Sequence, residues 1–221
     1  MNAITNFSKT IERAENLLSL HRQAYKRGRP PTDWTVDVLR SAVVFAVAAL
    51  DAYMHDKIVE TIPLIIKHGT QGIPGKFVDI LKEQVKYEGL LSIMFRSRPQ
   101  DHLVTAIRKS YEKRTLQDPA DIENAIKIIG VDDLWFSMSV QLKKRKGKSR
   151  KINKSGAKIF LEKYVLRRHH IVHEGDRYTS KIHKDKLRDI KREFVVNCIK
   201  DIKAFVKALN KIIDQKYKSL K

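Results

Sequence analysis

Nine consecutive apolar residues, Ala42 to Leu50, lie inside a longer segment of helical character, and no other feature constrains the fold as much. A helix that is apolar on every side has to be enclosed, either at the centre of a fold or in an oligomer interface. The run is far short of the roughly 20 residues that cross a bilayer. The other segments are long, helix-periodic and poor in glycine, and none keeps a strand-like alternation. The expected class is therefore all-α.

The helices can be placed from their periodicity and their breakers. The first covers about Ile4 to Arg27 and ends at Gly28-Arg29-Pro30-Pro31. Thr32 or Asp33 caps a second helix that reaches about His68. After a loop from Gly69 to Gly75, a third spans about Lys76 to Phe95, and Pro99 marks the next break. Further helices are expected over Asp101–Arg114, Pro119–Ile129 and Asp132–Leu142. A helix starting near Ser155 ends at Glu174-Gly175-Asp176, where Gly175 suits a left-handed cap. The last runs from about His183 to Tyr217. No repeat or linker divides the chain, so one helical domain over residues 1–221 is expected.

Charge narrows the partners. Lys and Arg number 45 against 25 Asp and Glu, a net charge of +20. Such a balance favours a polyanion, either nucleic acid or an anionic membrane surface. The densest basic stretch holds Lys143, Lys144, Arg145, Lys146, Lys148, Arg150 and Lys151, and residues 143–154 read as a mobile loop that collects phosphates without sequence preference. No aromatic residue within it offers a stacking platform. Cys198 is the single cysteine, so no intrachain disulfide forms, and its expected role is a small core filler. The N-terminus lacks a secretory apolar region. A cytoplasmic protein, with no membrane partner, is expected.

The chemistry concentrates at Arg167-Arg168-His169-His170-Ile171-Val172-His173-Glu174-Gly175-Asp176. An arginine forks onto phosphate, and a histidine moves a proton near neutral pH. Arg–His spacing alone recurs by chance, as at Arg96 and His102 across the Pro99 break. Helical phase is more selective. Ala157, Phe160, Leu161, Tyr164, Val165, Ile171 and Val172 form an apolar stripe, and Arg168 fills its missing place. A core-facing arginine must be paired or line a cleft. Arg167, about 100° further round, is expected to face solvent or RNA. His169 and His173 share the adjoining face. His173 lies in the last turn, where the helix carbonyls favour an imidazolium.

Arg168-His169-His170-Ile171-Val172-His173 resembles the Arg-polar-x-x-x-His motif of HEPN domains (higher eukaryotes and prokaryotes nucleotide-binding). It most resembles the predicted ribonucleases of phage-defence and toxin–antitoxin systems. An apolar helix with an acidic residue, Leu50-Asp51-Ala52-Tyr53, ahead of the motif helix and a long amphipathic helix fits the same frame. The resemblance implies a HEPN-like helical bundle and metal-independent endoribonuclease activity without a cofactor. It also implies a homodimer that pairs two motifs into one composite site, with an antitoxin or other regulatory protein as a further partner. Arg168 would then bind the scissile phosphate and His173 would transfer a proton. His169 stands where the family commonly has asparagine. Asp51 is the expected carboxylate that orients Arg168.

Two other readings stay open on sequence alone. His169 and His173 have the i, i+4 spacing of a helical metal pair, but Arg168 beside them repels a cation. A catalytically inactive basic module binding RNA or a partner explains the charge, but not an arginine on the apolar stripe.

Overall fold

The computed structural model describes residues 2–25, 32–67, 73–84, 89, 98–145, 153–178 and 186–218. Eight helices occur among them, named here α1 (Ala3–Ala24), α2 (Asp33–Lys67), α3 (Gly75–Gln84), α4 (Pro99–Tyr111), α5 (Pro119–Ile128), α6 (Leu134–Arg145), α7 (Lys154–His173) and α8 (Arg192–Lys218). No strand is present among the described residues, and the fold is the all-α bundle expected. No helix of the described residues is long and apolar enough to cross a membrane.

The apolar run decides the layout. Helix α2 packs against α1, α4, α5, α7 and α8, so the all-apolar segment is central in the fold. Ala42, Val43, Ala46, Val47, Ala49, Leu50, Tyr53 and Met54 are all fully buried. Only a narrow strip of small residues, Ser41, Ala48 and Ala52, stays open. Enclosing one large aliphatic side chain stabilises by about 1.5–3 kcal/mol, so this one helix anchors its neighbours. α1 lies along it through Phe7, Ile11 and Ala14. Its N-terminus is fixed by Glu60, whose carboxylate accepts from the Ala3 amide.

Helix α8 closes the bundle. Val195, Cys198, Ile202, Phe205, Val206 and Leu209 are buried at helical spacing. Cys198 fills core volume, and burial pushes its thiol well above the usual thiol range. The helix starts at Arg192, later than periodicity suggests. Residues 183–185 of the expected helix lie outside the described residues. Leu187 instead forms an antiparallel bridge with Arg177. Tyr178 N–H donates to Lys186 O at 2.9 Å and Arg188 N–H to Asp176 O at 2.7 Å. Those bonds satisfy the backbone locally, so residues 186–191 pass as a strap beside the end of α7. Beyond Gln84, the expected third helix lies outside the described residues except at Gly89, which is helical.

Candidate active site

Helix α7 carries the motif, and both of its ends are defined by side chains. The Asn153 side chain caps the start, accepting from the Gly156 amide at 2.7 Å, a bond typical of a helix N-terminus. Ala157, Leu161 and Tyr164 form its buried face. Tyr164 donates to Asp201 of α8 at 2.7 Å and meets Phe194 edge-on. At the other end the chain turns left-handed, with φ of 59° at both Gly175 and Asp176. Gly175 fits the expected cap. Asp176 is one of the few side-chain types that tolerate this region. Its amide and that of Glu174 both donate to His170 O, at 2.8 and 3.1 Å, which closes the last turn.

Asp176 is the electrostatic node behind the motif. Its side chain is 1% exposed, and its Oδ2 accepts from Arg40 Nε and Arg167 Nη2, both at 2.7 Å. Arg40 also donates to Asp37 and to Arg188 O, while Arg167 also donates to Arg188 O and Asp189 O. The node thus ties α2, the α7 cap and the strap together. Burial holds the Arg167 pKa below the usual arginine range; Asp176 works against that shift, and Arg40 and Arg188 add to it.

This arrangement corrects the sequence expectation for the two arginines. Arg167, expected to face solvent or RNA, is the one held in the buried network, with 15% of its side chain exposed. Arg168 is in phase with Leu161 and Tyr164, yet it is only half-buried. The stripe loses its cover toward the helix end, where Ile171 is half-buried and Val172 is exposed. The strap returns on Arg167's side of α7, which helical phase cannot foresee.

Arg168 reaches the last turn instead. Its Nη1 lies 3.4 Å from His173 Nε2. A guanidinium only donates, so a hydrogen bond here is accepted by His173 Nε2. The His169 ring packs against His173 with centroids 4.7 Å apart. Both rings are exposed. His170, passed over by helical phase, has a firm partner: its Nδ1 is 2.7 Å from Glu174 Oε2, and Arg188 Nη2 is 3.4 Å from the same oxygen. The bond from His170 holds the Glu174 carboxyl below the usual carboxylate range, with Arg188 adding to the effect.

An arginine, three imidazoles and a carboxylate therefore gather at one helix end, in the frame of a helical bundle. A family model described as RiboL-PSP-HEPN matches residues 8–215. The chain belongs to this HEPN family. Neither a curated protein nor a solved structure matches it. The HEPN domain family is generally associated with ribonuclease activity.

The remaining expected residues of this HEPN chain are placed differently. Asp51 does not hold Arg168. Its Oδ1 accepts from the Leu116 amide and lies 3.9 Å from His55 Nε2. Mid-helix on α2, it braces the segment after α4, and the buried carboxylate at the motif is Asp176. Lys143, Lys144 and Arg145 continue α6 as helix, so they are not part of a loop. Lys154 at the other end of that stretch opens α7 behind the Asn153 cap. Lys146, Lys148, Arg150 and Lys151 lie outside the described residues. Sequence reasoning missed Arg40 and Arg188, and gave Glu174 no part in the ribonuclease site. Arg40 left a signal, as a cation two residues ahead of the apolar run.

Two clefts flank the Asp176 node. One of about 390 Å³ lies beside Arg167, walled by Ile190, Lys191, Phe194 and Asn197. The other, about 330 Å³, lies between α2 and the α7 cap, walled by Arg40, Phe45, Ile171 and Gly175. Neither is lined by Arg168 or His173; His173 is exposed, and Arg168 is half-buried beside it.

Proposed function

We propose that this HEPN chain is a metal-independent endoribonuclease that uses the RNA's own 2′-OH as nucleophile. The products are a 2′,3′-cyclic phosphate and a 5′-OH end. The observation that carries the reading is the Arg168–His173 contact of 3.4 Å on an exposed helix end. It puts a phosphate-binding fork next to a proton-transfer group. Arg168 binds the scissile phosphate and stabilises its developing charge. His173 transfers a proton, an effect worth ~10²–10⁴-fold. His169, packed on His173, orients that ring.

The wider reading is a toxin or antiviral-defence effector acting on RNA in the cytoplasm, restrained by an antitoxin or other regulatory protein. Lys143, Lys144, Arg145, Lys146, Lys148, Arg150 and Lys151 attract the RNA backbone. The active form is a homodimer with a composite site. Supporting this, Ile159 and Leu166 are exposed at 59% and 53% on the outer side of α7, the side that carries His169 and His173. Packing two copies along that face sets two motifs about one groove.

The test is incubation of wild type, Arg168→Ala and His173→Ala with mixed RNA in EDTA. Cleavage by wild type that is lost in both variants supports the reading. Equal cleavage by all three proteins, or cleavage abolished by EDTA, overturns it.

A further inference from the structure

The end of α7 holds two histidines in opposite electrostatic settings. His173 meets a guanidinium, a pure donor, at 3.4 Å. His170 meets a carboxylate, a pure acceptor, at 2.7 Å. The two sit three residues apart, so their rings flank one helical turn. His169 adjoins both, with ring centroids 4.7 Å from His173 and 6.2 Å from His170. Two histidines with opposite hydrogen-bond partners can divide the two proton transfers of phosphodiester cleavage between them.

We propose that His170, held by Glu174, is the general acid of the cleavage step, with His173 of the same helix as the general base. This rests on the ribonuclease reading and adds a proton donor to it. A hydrogen bond from Arg168 is accepted by the Nε2 lone pair of His173; when Arg168 turns to the scissile phosphate, that lone pair is free to take a proton. His170 gives Nδ1–H to Glu174, which leaves Nε2–H to donate. Glu174, kept ionised by that bond, balances the ring's charge, as the aspartate does in a hydrolase triad. Among the described residues, His170 meets Glu174 and the His169 ring, and Arg188 from the strap reaches the same Glu174 oxygen.

The step balances as follows. The 2′-oxygen attacks phosphorus while His173 Nε2 takes the 2′-OH proton. The P–O5′ bond breaks and its electron pair goes to O5′. His170 Nε2 delivers its proton there. His173 ends as the cation and His170 as the neutral ring, and exchange with water resets both.

A 5′-bridging phosphorothiolate RNA separates the two roles. Its leaving group is a thiolate, and thiols have a pKa of about 8.5, so departure needs no proton. His170→Gln is expected to slow cleavage of ordinary RNA by ~10²–10⁴-fold and to leave the sulfur-linked substrate within a few fold of wild type. His173→Gln is expected to slow both. Glu174→Gln, which keeps the shape of the cap, should follow His170→Gln in weaker form, and melting curves check that each variant folds. Equal slowing of both substrates by His170→Gln, or no slowing of ordinary RNA, overturns the assignment while the ribonuclease reading stands. A wild type that cleaves neither substrate overturns both.

Discussion

At the residue scale, the most consequential side chain outside the exposed motif is Asp176. It neutralises two guanidinium groups that are themselves 9% and 15% exposed. Removing one partner of a buried ion pair costs about 3–5 kcal/mol, because the other charge stays buried without compensation. Arg40 retains Asp37 as a partner, which puts Asp176→Ala near the lower end, about 3 kcal/mol. Chemical denaturation measures this directly, and a loss under about 1 kcal/mol would mean that water screens the node. The same residue marks the limit of reading side chains from sequence. Arg168 and His173 lie on one helix, about 140° apart around its axis, and the length of the arginine side chain closes the gap within that element. Asp176 and Arg40 are 136 positions apart. Their contact depends on how the strap folds back, and no local period encodes that.

At the element scale, the packing of α1 on α8 contains a pH-sensitive contact. His21 is 5% exposed, its Nδ1 has no partner, and its ring stacks on Tyr25. Burial, with Arg192 of α8 as the lesser cause, holds its pKa below the ordinary 6.5. The ring is therefore neutral in the fold, while the unfolded chain protonates near the ordinary value. Below that pH the unfolded state binds more protons, so stability falls as pH drops and levels off below the folded pKa. Above pH 7 the contribution is fully present. Thermal melts across pH 7.5 to 5 should show wild type losing stability, and His21→Leu losing less over the same window. Parallel curves would remove His21 as the cause. Most helices were readable because each is a property of its own segment: the α2 run, the amphipathic stripe of α8, the turn at Gly175. The start of α8 was not. Ile190 continues the stripe of Phe194 and Cys198, yet the bridge at Leu187 offers the backbone other partners, and that choice is tertiary.

At the scale of the whole molecule, net charge and the exposed face of α7 act against each other. In the proposed homodimer, two chains of +20 each have to approach. Their repulsion is long-ranged when salt is low, since the screening length is about 10 Å at 0.1 M. An apolar contact through Ile159 and Leu166, as proposed for the dimer, is short-ranged and insensitive to salt. Dimerisation should therefore strengthen as salt rises, whereas RNA binding weakens with salt as counterions are no longer released to advantage. RNA itself, lying across both copies, offsets the repulsion and should promote pairing at low salt. Sedimentation of the His173→Ala protein, which spares the RNA, measures all three trends. Leu166→Glu removes apolar contact and puts like charges opposite each other across the symmetric face, because an isologous interface repeats the change on both sides. That variant should sediment as a monomer with or without RNA, keep its thermal melting within a few degrees of wild type, and cleave RNA at least tenfold more slowly. A Leu166→Glu protein that stays dimeric would place the interface on another face, and a monomer with full activity would show that one chain holds a complete site.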